Sequence, residues 1–496
     1  MKITFVYPDF ESIGVQQLMA VCLENGFETD FIYYEAEDQC EGKPIALHAG
    51  QIAQKIAATN PDVVAFSCVT VNYLYQLGCA RALKAIRPGL VTVFGGIHPT
   101  AVPDRVLSNP EVDCVCIGEG EIAFAGFLKA GSKAGRFTLP NAPVRGMAFK
   151  KNGAIVGEFA EGELADLNTL PFPHKDPFYQ TFKYLSGEYR ILTSRGCPYH
   201  CSYCFNSHYQ QMRGKNIFRQ RTVDNVIEEL KWAKNRYSLK YIFFMDDSFT
   251  TDAQWLYEFC RRYHSEIALP FCCIANPHYI DEKKARALSE AGCVYMQIGV
   301  QSVSEELCAS FLLRKSSNAK LLDAISSLKK AGIMVQLDHM LGIPGDTLEW
   351  QEESVRFYNS CRPNLISVYW LTYYPKTAII DLARKCGLLS ASDIENIETG
   401  RFQTRKEVSA GGSMQDPKPF FGIDILLNYL PILPKFLVSL ILESRLYRRI
   451  RTKNFYLSVA LPRVIQSVFD RRDLVGRSHI KYVWHKMMNQ ALGRKC

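Results

Sequence analysis

Three cysteines fall within eight residues in Cys197-Pro198-Tyr199-His200-Cys201-Ser202-Tyr203-Cys204. Thiolates are soft ligands, suited to iron–sulfur clusters or zinc. Three is one short of a structural zinc site and one too many for a disulfide. On a loop, this spacing suits a cubane cluster. Three thiolates hold three irons, and the fourth iron stays open to a substrate or cofactor. Zinc would need His200 or His208 as fourth ligand, and the doubled C-x-x-C pattern of zinc sites is absent. Three free core thiols fit least, because Arg195, Gly196 and Pro198 flank the segment.

The elements around the cysteines alternate. From about residue 186 the candidate strands are YRILTS, YIFFMD, FCCIAN, VYMQIGV, MVQLDHMLG and LISVYWLTYY, with helical stretches between them. Six such units predict an open, incomplete (β/α) barrel, whose chemistry belongs at the C-terminal ends of its strands. RILTS delivers the cysteines to such an end. An earlier alternation (KITFVYP, PDVVAFSCV, LVTVFGG, VDCVCIGEGE) predicts a separate parallel α/β sheet. The expected organisation is 1–140 Rossmann-like, 141–185 a hairpin (turn at Asn152-Gly153) and proline-rich linker, 186–395 the partial barrel, and 396–496 a mostly helical, basic region.

With 47% hydrophobic and 22% charged residues, the composition is that of a globular protein. The 17 cysteines are an odd number, and the N-terminus MKITFVYPDFES has no signal-peptide pattern. A disulfide framework is not expected, and a reducing cytoplasm is. The net charge of +8 is concentrated at the end. Between Phe421 and Cys496 there are 14 Lys/Arg against 4 Asp/Glu, a net of +10, which leaves the rest near −2.

The cysteine motif, with Tyr203 before its last cysteine, resembles the radical S-adenosylmethionine (SAM) enzymes, and the resemblance covers about 186–390. It implies a [4Fe–4S] cluster on Cys197, Cys201 and Cys204, with SAM on the open iron and cleaved by one electron. FFMDDSF (Asp246, Asp247) ends the second barrel strand, where the family binds the methionine amino group. MQIGVQS (Gln301) ends the fourth, and HMLGIPGDTLE (Gly342, Pro344, Gly345) ends the fifth, along the adenine. Taken singly, the aspartates read as a helix cap and the glycines as a turn. In LTYYPKTAI, Lys376 stands where relatives usually have glycine.

The N-terminal segment resembles the cobalamin-binding half of such enzymes. DFESIG matches the D-x-H-x-x-G loop of methyl-transferring cobalamin domains at Asp9 and Gly14, with Glu11 at the histidine position. In the large radical SAM group that substitution is expected. Ser67 and Thr70, then Gly95, Gly96, His98 and Thr100, then Gly118, Glu119, Gly120 and Glu121 are the other signatures. His98 is a candidate ligand, with a hydrogen bond inside its own turn as the preferred reading.

The stretch FFGIDILLNYLPILPKFLVSLIL is interrupted by Asp424, Asn428, Lys435 and prolines, so it does not read as a spanning helix. The basic tail reads equally as a helical cap on the barrel or as a surface for an anionic membrane. Nucleic acid ranks last. The expected activity is a cobalamin-dependent radical SAM methyltransferase acting on an unactivated carbon of a lipid-like or tetrapyrrole-like small molecule. It would draw electrons from a flavodoxin or ferredoxin. The alternatives are a non-methylating radical cyclase or oxidoreductase and, from another class, a zinc-binding nucleic-acid protein.

Overall fold

The structure is a computed structural model. It describes all residues except 36–44, 134, 215–216, 402–413, 415, 453, 455, 471 and 492–496. Five parallel strands begin the chain: β1 (Lys2–Pro8), β2 (Glu28–Tyr34), β3 (Val63–Ser67), β4 (Val91–Gly95) and β5 (Cys114–Cys116). Their order is β2-β1-β3-β4-β5. The central strands are mostly apolar and buried, as strands with helices on both faces are. The chain reverses direction across the sheet between β1 and β3, and a parallel sheet opens its ligand crevice at such a point.

Two features differ from the sequence expectation. β2, ETDFIYY, is an edge strand with mostly half-buried residues, so it lacks the apolar run that marks its neighbours. The Asn152-Gly153 hairpin also does not stand apart in a 141–185 segment. Its strands β6 (Met147–Lys151) and β7 (Ala154–Val156) extend the first sheet, with β6 antiparallel to β5. This covers an edge that would otherwise present unpaired backbone groups. Asn152 and Gly153 both have positive φ, as a two-residue hairpin turn requires.

The second sheet is parallel and strictly sequential: β8 (Glu188–Ile191), β9 (Tyr241–Phe244), β10 (Phe271–Ala275), β11 (Cys293–Gln301), β12 (Met334–Leu341) and β13 (Leu365–Trp370). Among the described residues β13 does not pair back to β8, so the barrel is open. Helix Phe421–Tyr429 packs beside β13. Trp370 Nε1 donates to buried Asp424 Oδ2 at 2.7 Å, and Ile423, Leu426 and Leu427 join the main core. Among the described residues, no helix is long and apolar enough to cross a membrane. The stretch that raised that question is two short helices, Phe421–Tyr429 and Lys435–Glu443.

Candidate functional site

The cysteine loop leaves the C-terminal end of β8. Cys204 caps helix Phe205–Arg213. Inside the loop, Cys204 N donates to Cys201 O at 3.1 Å and Ser207 Oγ to Cys201 O at 2.7 Å. Ser202 N donates to Leu312 O, and Ile379 N to Ser202 O, both at 2.9 Å. Three chain segments thus fix where the thiols stand. Burial pushes the Cys197 thiol up to about 11 and the Cys204 thiol up to about 12, so a metal must displace their protons to bind. Among the described residues, no three His, Cys, Asp or Glu side chains converge as a one-ion site needs. A cubane asks for less convergence, since each thiolate takes its own iron.

The two aspartates after β9 diverge. Asp246 is fully buried, and its Oδ1 accepts from Thr193 N (2.9 Å), Thr193 Oγ1 (2.8 Å) and Ser194 Oγ (2.5 Å). Burial holds its carboxyl up at about 6. It ties the end of β9 to the start of the cysteine loop. Asp247 is exposed, accepts from Asn206 Nδ2 at 2.9 Å, and acts electrostatically on Cys197 and Cys204.

Gln301 ends β11 at φ +69, just past a register shift. Beside it lies Arg314, which donates to Gly299 O, bonds the Tyr203 hydroxyl and faces Cys201. Sequence reading missed Arg314, whose one signal is a guanidinium inside the apolar run FLLRK. At the end of β12, Gly342 and Gly345 have φ of +76 and +81, with buried Pro344 between them. A Cβ on Gly345 would lie 2.7 Å from Phe311. Gly342 N donates to Asp346 Oδ2 at 3.0 Å, which fixes the turn. Lys376, the residue replacing glycine, keeps the left-handed backbone at φ +62 and pairs with Glu398.

In the first sheet, the crevice between β1 and β3 holds a cavity of about 220 Å3. Phe5, Ala65, Phe66 and Phe124 give it an apolar floor, and Ser67, Gly95, Gly96, Gly118, Glu119 and Gly120 form its rim. Gly96, at φ +99, sits so close to Cys68 that a Cβ would fall 2.7 Å from its carbonyl oxygen. Glycine is required there for the close approach of the two strand ends beside the cavity. Leu192 and Arg195, from the segment that follows β8, also line this cavity. Arg195, two residues before Cys197, bonds Glu119 Oε2 at 2.9 Å and Glu121 Oε1 at 2.6 Å. Arg219 also pairs with Glu119. The cysteine loop and the glycine-lined cavity are therefore clamped side by side.

Two residues of the loop signatures lie elsewhere. Glu11 is turned away from the cavity and fully buried. Its Oε1 meets Lys175 Nζ at 2.7 Å and Gln16 Nε2 at 3.1 Å, and Arg190 approaches Oε2 at 3.5 Å. Burial alone would raise its pKa, but the Lys175 and Arg190 charges hold it below the usual carboxylate range. His98 is also fully buried. Its Nδ1 pairs with Thr70 Oγ1 at 3.1 Å, so the ring bonds across to the next element rather than within its own turn. It stacks on Tyr73 at 4.3 Å, and burial lowers its pKa to about 3. A neutral ring so enclosed supports Thr70, whose neighbour Ser67 is on the cavity rim.

A second cavity, of about 380 Å3, occupies the barrel interior. Phe243, Tyr295 and Gln297 line it from the strands, Phe10 from the loop after β1, and Ser478, His479 and Tyr482 from helix Leu474–Ala491. Leu474 and Val475 pack on Tyr241, Tyr295, Met334 and Leu365, near the N-terminal ends of the strands. The tail is therefore a cap, but it closes the end of the barrel opposite the cysteines.

Residues 191–358 match the Radical SAM superfamily model and residues 3–128 the B12 binding domain model, and together these cover more than half of the chain. An uncharacterized methyltransferase of Pyrococcus horikoshii is 27% identical over 343 residues, 68% of this chain and 72% of that one. The anaerobic magnesium-protoporphyrin IX monomethyl ester cyclase of Rubrivivax gelatinosus is 24% identical, covering 76% of this chain and 68% of its own. Among solved structures, the radical SAM methyltransferase TsrM of Kitasatospora setae, with cobalamin and a [4Fe–4S] cluster bound, shares the fold. Its TM-score is 0.63 at 17% identity, over 78% of each chain. The chain belongs to the radical SAM superfamily, among the members that carry a B12-binding domain ahead of the barrel, and its cofactors are a [4Fe–4S] cluster, SAM and cobalamin.

Proposed function

We propose that the chain is a cobalamin-dependent radical SAM methyltransferase that modifies an unactivated carbon of a lipid-like or tetrapyrrole-like small molecule. When bound, the cluster and SAM supply a 5′-deoxyadenosyl radical, and cobalamin supplies a transferable methyl group. The protein binds, orients and shields. Cys197, Cys201 and Cys204 are the thiolates assigned to three irons. Asp247 is assigned to the methionine amino group and Arg314 to its carboxylate, with Gln301 and Tyr203 beside them. The Gly342–Gly345 turn offers open backbone to the adenine. Gly95, Gly96, Gly118 and Gly120, with Ser67, make room for cobalamin. Asp246, His98 and Thr70 act as positioning residues behind these contacts.

The observation that carries this reading is the Arg195 clamp to Glu119 and Glu121, which joins the cysteine loop to the rim of the glycine-lined cavity. Two cofactors that must act on one substrate need adjoining sites. The barrel cavity, lined by aromatic side chains and a few polar groups, suits a largely apolar substrate. The methyltransferase names among the relatives support methyl transfer. The cyclase relatives favour, as a second reading, ring closure without methyl transfer. A flavodoxin or ferredoxin supplies the electron in a reducing cytoplasm.

The test is anaerobic incubation with SAM, a reductant, cobalamin and extracts containing apolar metabolites. Methyl transfer predicts 5′-deoxyadenosine and S-adenosylhomocysteine in parallel. Deoxyadenosine without S-adenosylhomocysteine supports the cyclase reading. Neither product overturns both.

A further inference from the structure

The tail carries a helix built the wrong way round for a protein in water. In helix Leu461–Phe469, the polar side chains face inward. Arg463 reaches Gln336 Oε1 at 3.4 Å and Asp473 Oδ1 at 3.0 Å, and Ser467 is buried against Asp473 at 2.5 Å. The apolar side chains face outward. Leu457, Leu461, Val464 and Val468 recur at helical spacing on one exposed stripe, with Phe469 at its end, 83% exposed. A helix at a protein surface normally turns its apolar stripe to the core.

The next helix, Leu474–Ala491, repeats the arrangement. Ser478, His479 and Tyr482 look into the barrel cavity, while Trp484 and Met487 stand 63% and 58% exposed. Isolated exposed apolar residues need no explanation, but contiguous stripes mark an interaction surface. The charge that precedes them in the chain indicates which kind. Arg445, Arg449 and Arg451 lead into this region, are exposed, and have no acidic partner among the described residues. They belong to the segment that holds the chain's excess positive charge.

We propose that helices Leu461–Phe469 and Leu474–Ala491, with the preceding arginines, dock the protein on an anionic lipid bilayer. The apolar stripe inserts at the headgroup–acyl boundary, Trp484 sits at the interface, and the arginines meet lipid phosphates. Because the inner faces of the same helices close the barrel cavity, docking sets the cavity wall against the membrane. This goes beyond the reaction assigned above and stands or falls without it.

The test is flotation of the full-length protein, purified anaerobically, with two kinds of vesicle. One is phosphatidylcholine alone, and the other contains phosphatidylglycerol as well. Binding is expected to be at least tenfold tighter on the anionic vesicles and to weaken severalfold at high salt. Val468→Asp with Phe469→Asp should abolish it. Both residues are exposed, so the fold should survive, as circular dichroism would check. Arg449→Glu with Arg451→Glu should remove only the preference for anionic lipid. Protein that stays unbound with anionic vesicles overturns the proposal. So does a dimer that the V468D/F469D change dissociates without any vesicle binding, since the stripe would then belong to a second copy. The assay uses no SAM, so loss of deoxyadenosine formation would leave it untouched.

Discussion

The loops after β1 and β8 hold the same place in chain order, each following the first strand of its domain, and are used in opposite ways. Each leaves the C-terminal end of the first strand of a parallel sheet, and each carries residues with the chemistry to hold a metal. After β8, the thiols are pinned only through backbone and through neighbours such as Ser202 and Ser207, so their sulfurs are left for iron. After β1, Glu11 is consumed by Lys175 and Arg190 and faces the protein. A position that could sit under a metal has become a fastening between the first sheet, the linker and β8. An open coordination site thus requires withholding partners from the side chain, whereas closing one takes a single buried ion pair.

The largest effect should come from breaking the open loop. Cys197→Ala is expected to abolish deoxyadenosine formation and lower bound iron and sulfide, while cobalamin binding persists. Metal analysis beside a product assay checks this. Breaking the closed loop acts on stability instead. Lys175→Met leaves Glu11 charged and buried without its nearest partner, a loss of about 3–5 kcal/mol, measured by urea denaturation. Adding Glu11→Gln should recover part of it. Activity at permissive temperature should change little.

The buried carboxylates that fasten the two loops, Glu11 in the first and Asp246 after β9 behind the second, should also respond to pH with opposite signs. Glu11, held low by Lys175 and Arg190, contributes stability that is present above its unfolded pKa and lost as pH falls through its folded one. Asp246, raised from 3.8 to about 6, favours the folded state most below its unfolded pKa, and that contribution is lost as pH rises to about 6. Across this window the Asp246 effect is on the order of 3 kcal/mol. Asp246→Asn should flatten the stability profile there, and Glu11→Gln should flatten it at lower pH. The smallest effect sharpens the assignment around the open iron. Arg314→Met should weaken SAM binding by about 1.5–3 kcal/mol, with cluster content unchanged, as read by isothermal titration.

Much of this was legible in the sequence because it rests on local pattern. The six barrel strands, the cysteine spacing and the glycine turns announce themselves through apolar runs and residues of special backbone freedom. What was not legible is pairing over distance. Nothing local links Arg195 to Glu119 and Glu121, or Glu11 to Lys175, which are separated by 74 to 164 residues. β2 escaped because an edge strand needs only a partly apolar face. Arg314 escaped because a lone arginine in an apolar run has no spacing rule. Asp246 and Asp247 are adjacent and chemically identical, so only the strand's pleat separates the positioning residue from the one that faces the thiols.

The comparison between the loops is tested most directly by one electron paramagnetic resonance measurement. The sample is protein loaded anaerobically with cluster and cobalamin, grown with 15N-labelled histidine, and recorded with and without SAM. An open cysteine loop predicts a reduced-cluster signal that changes when SAM is added. A closed Glu11 loop and an enclosed His98 predict a cobalt(II) signal with no splitting from the labelled imidazole. A cluster signal indifferent to SAM, or a cobalt signal split by 15N, would contradict the account.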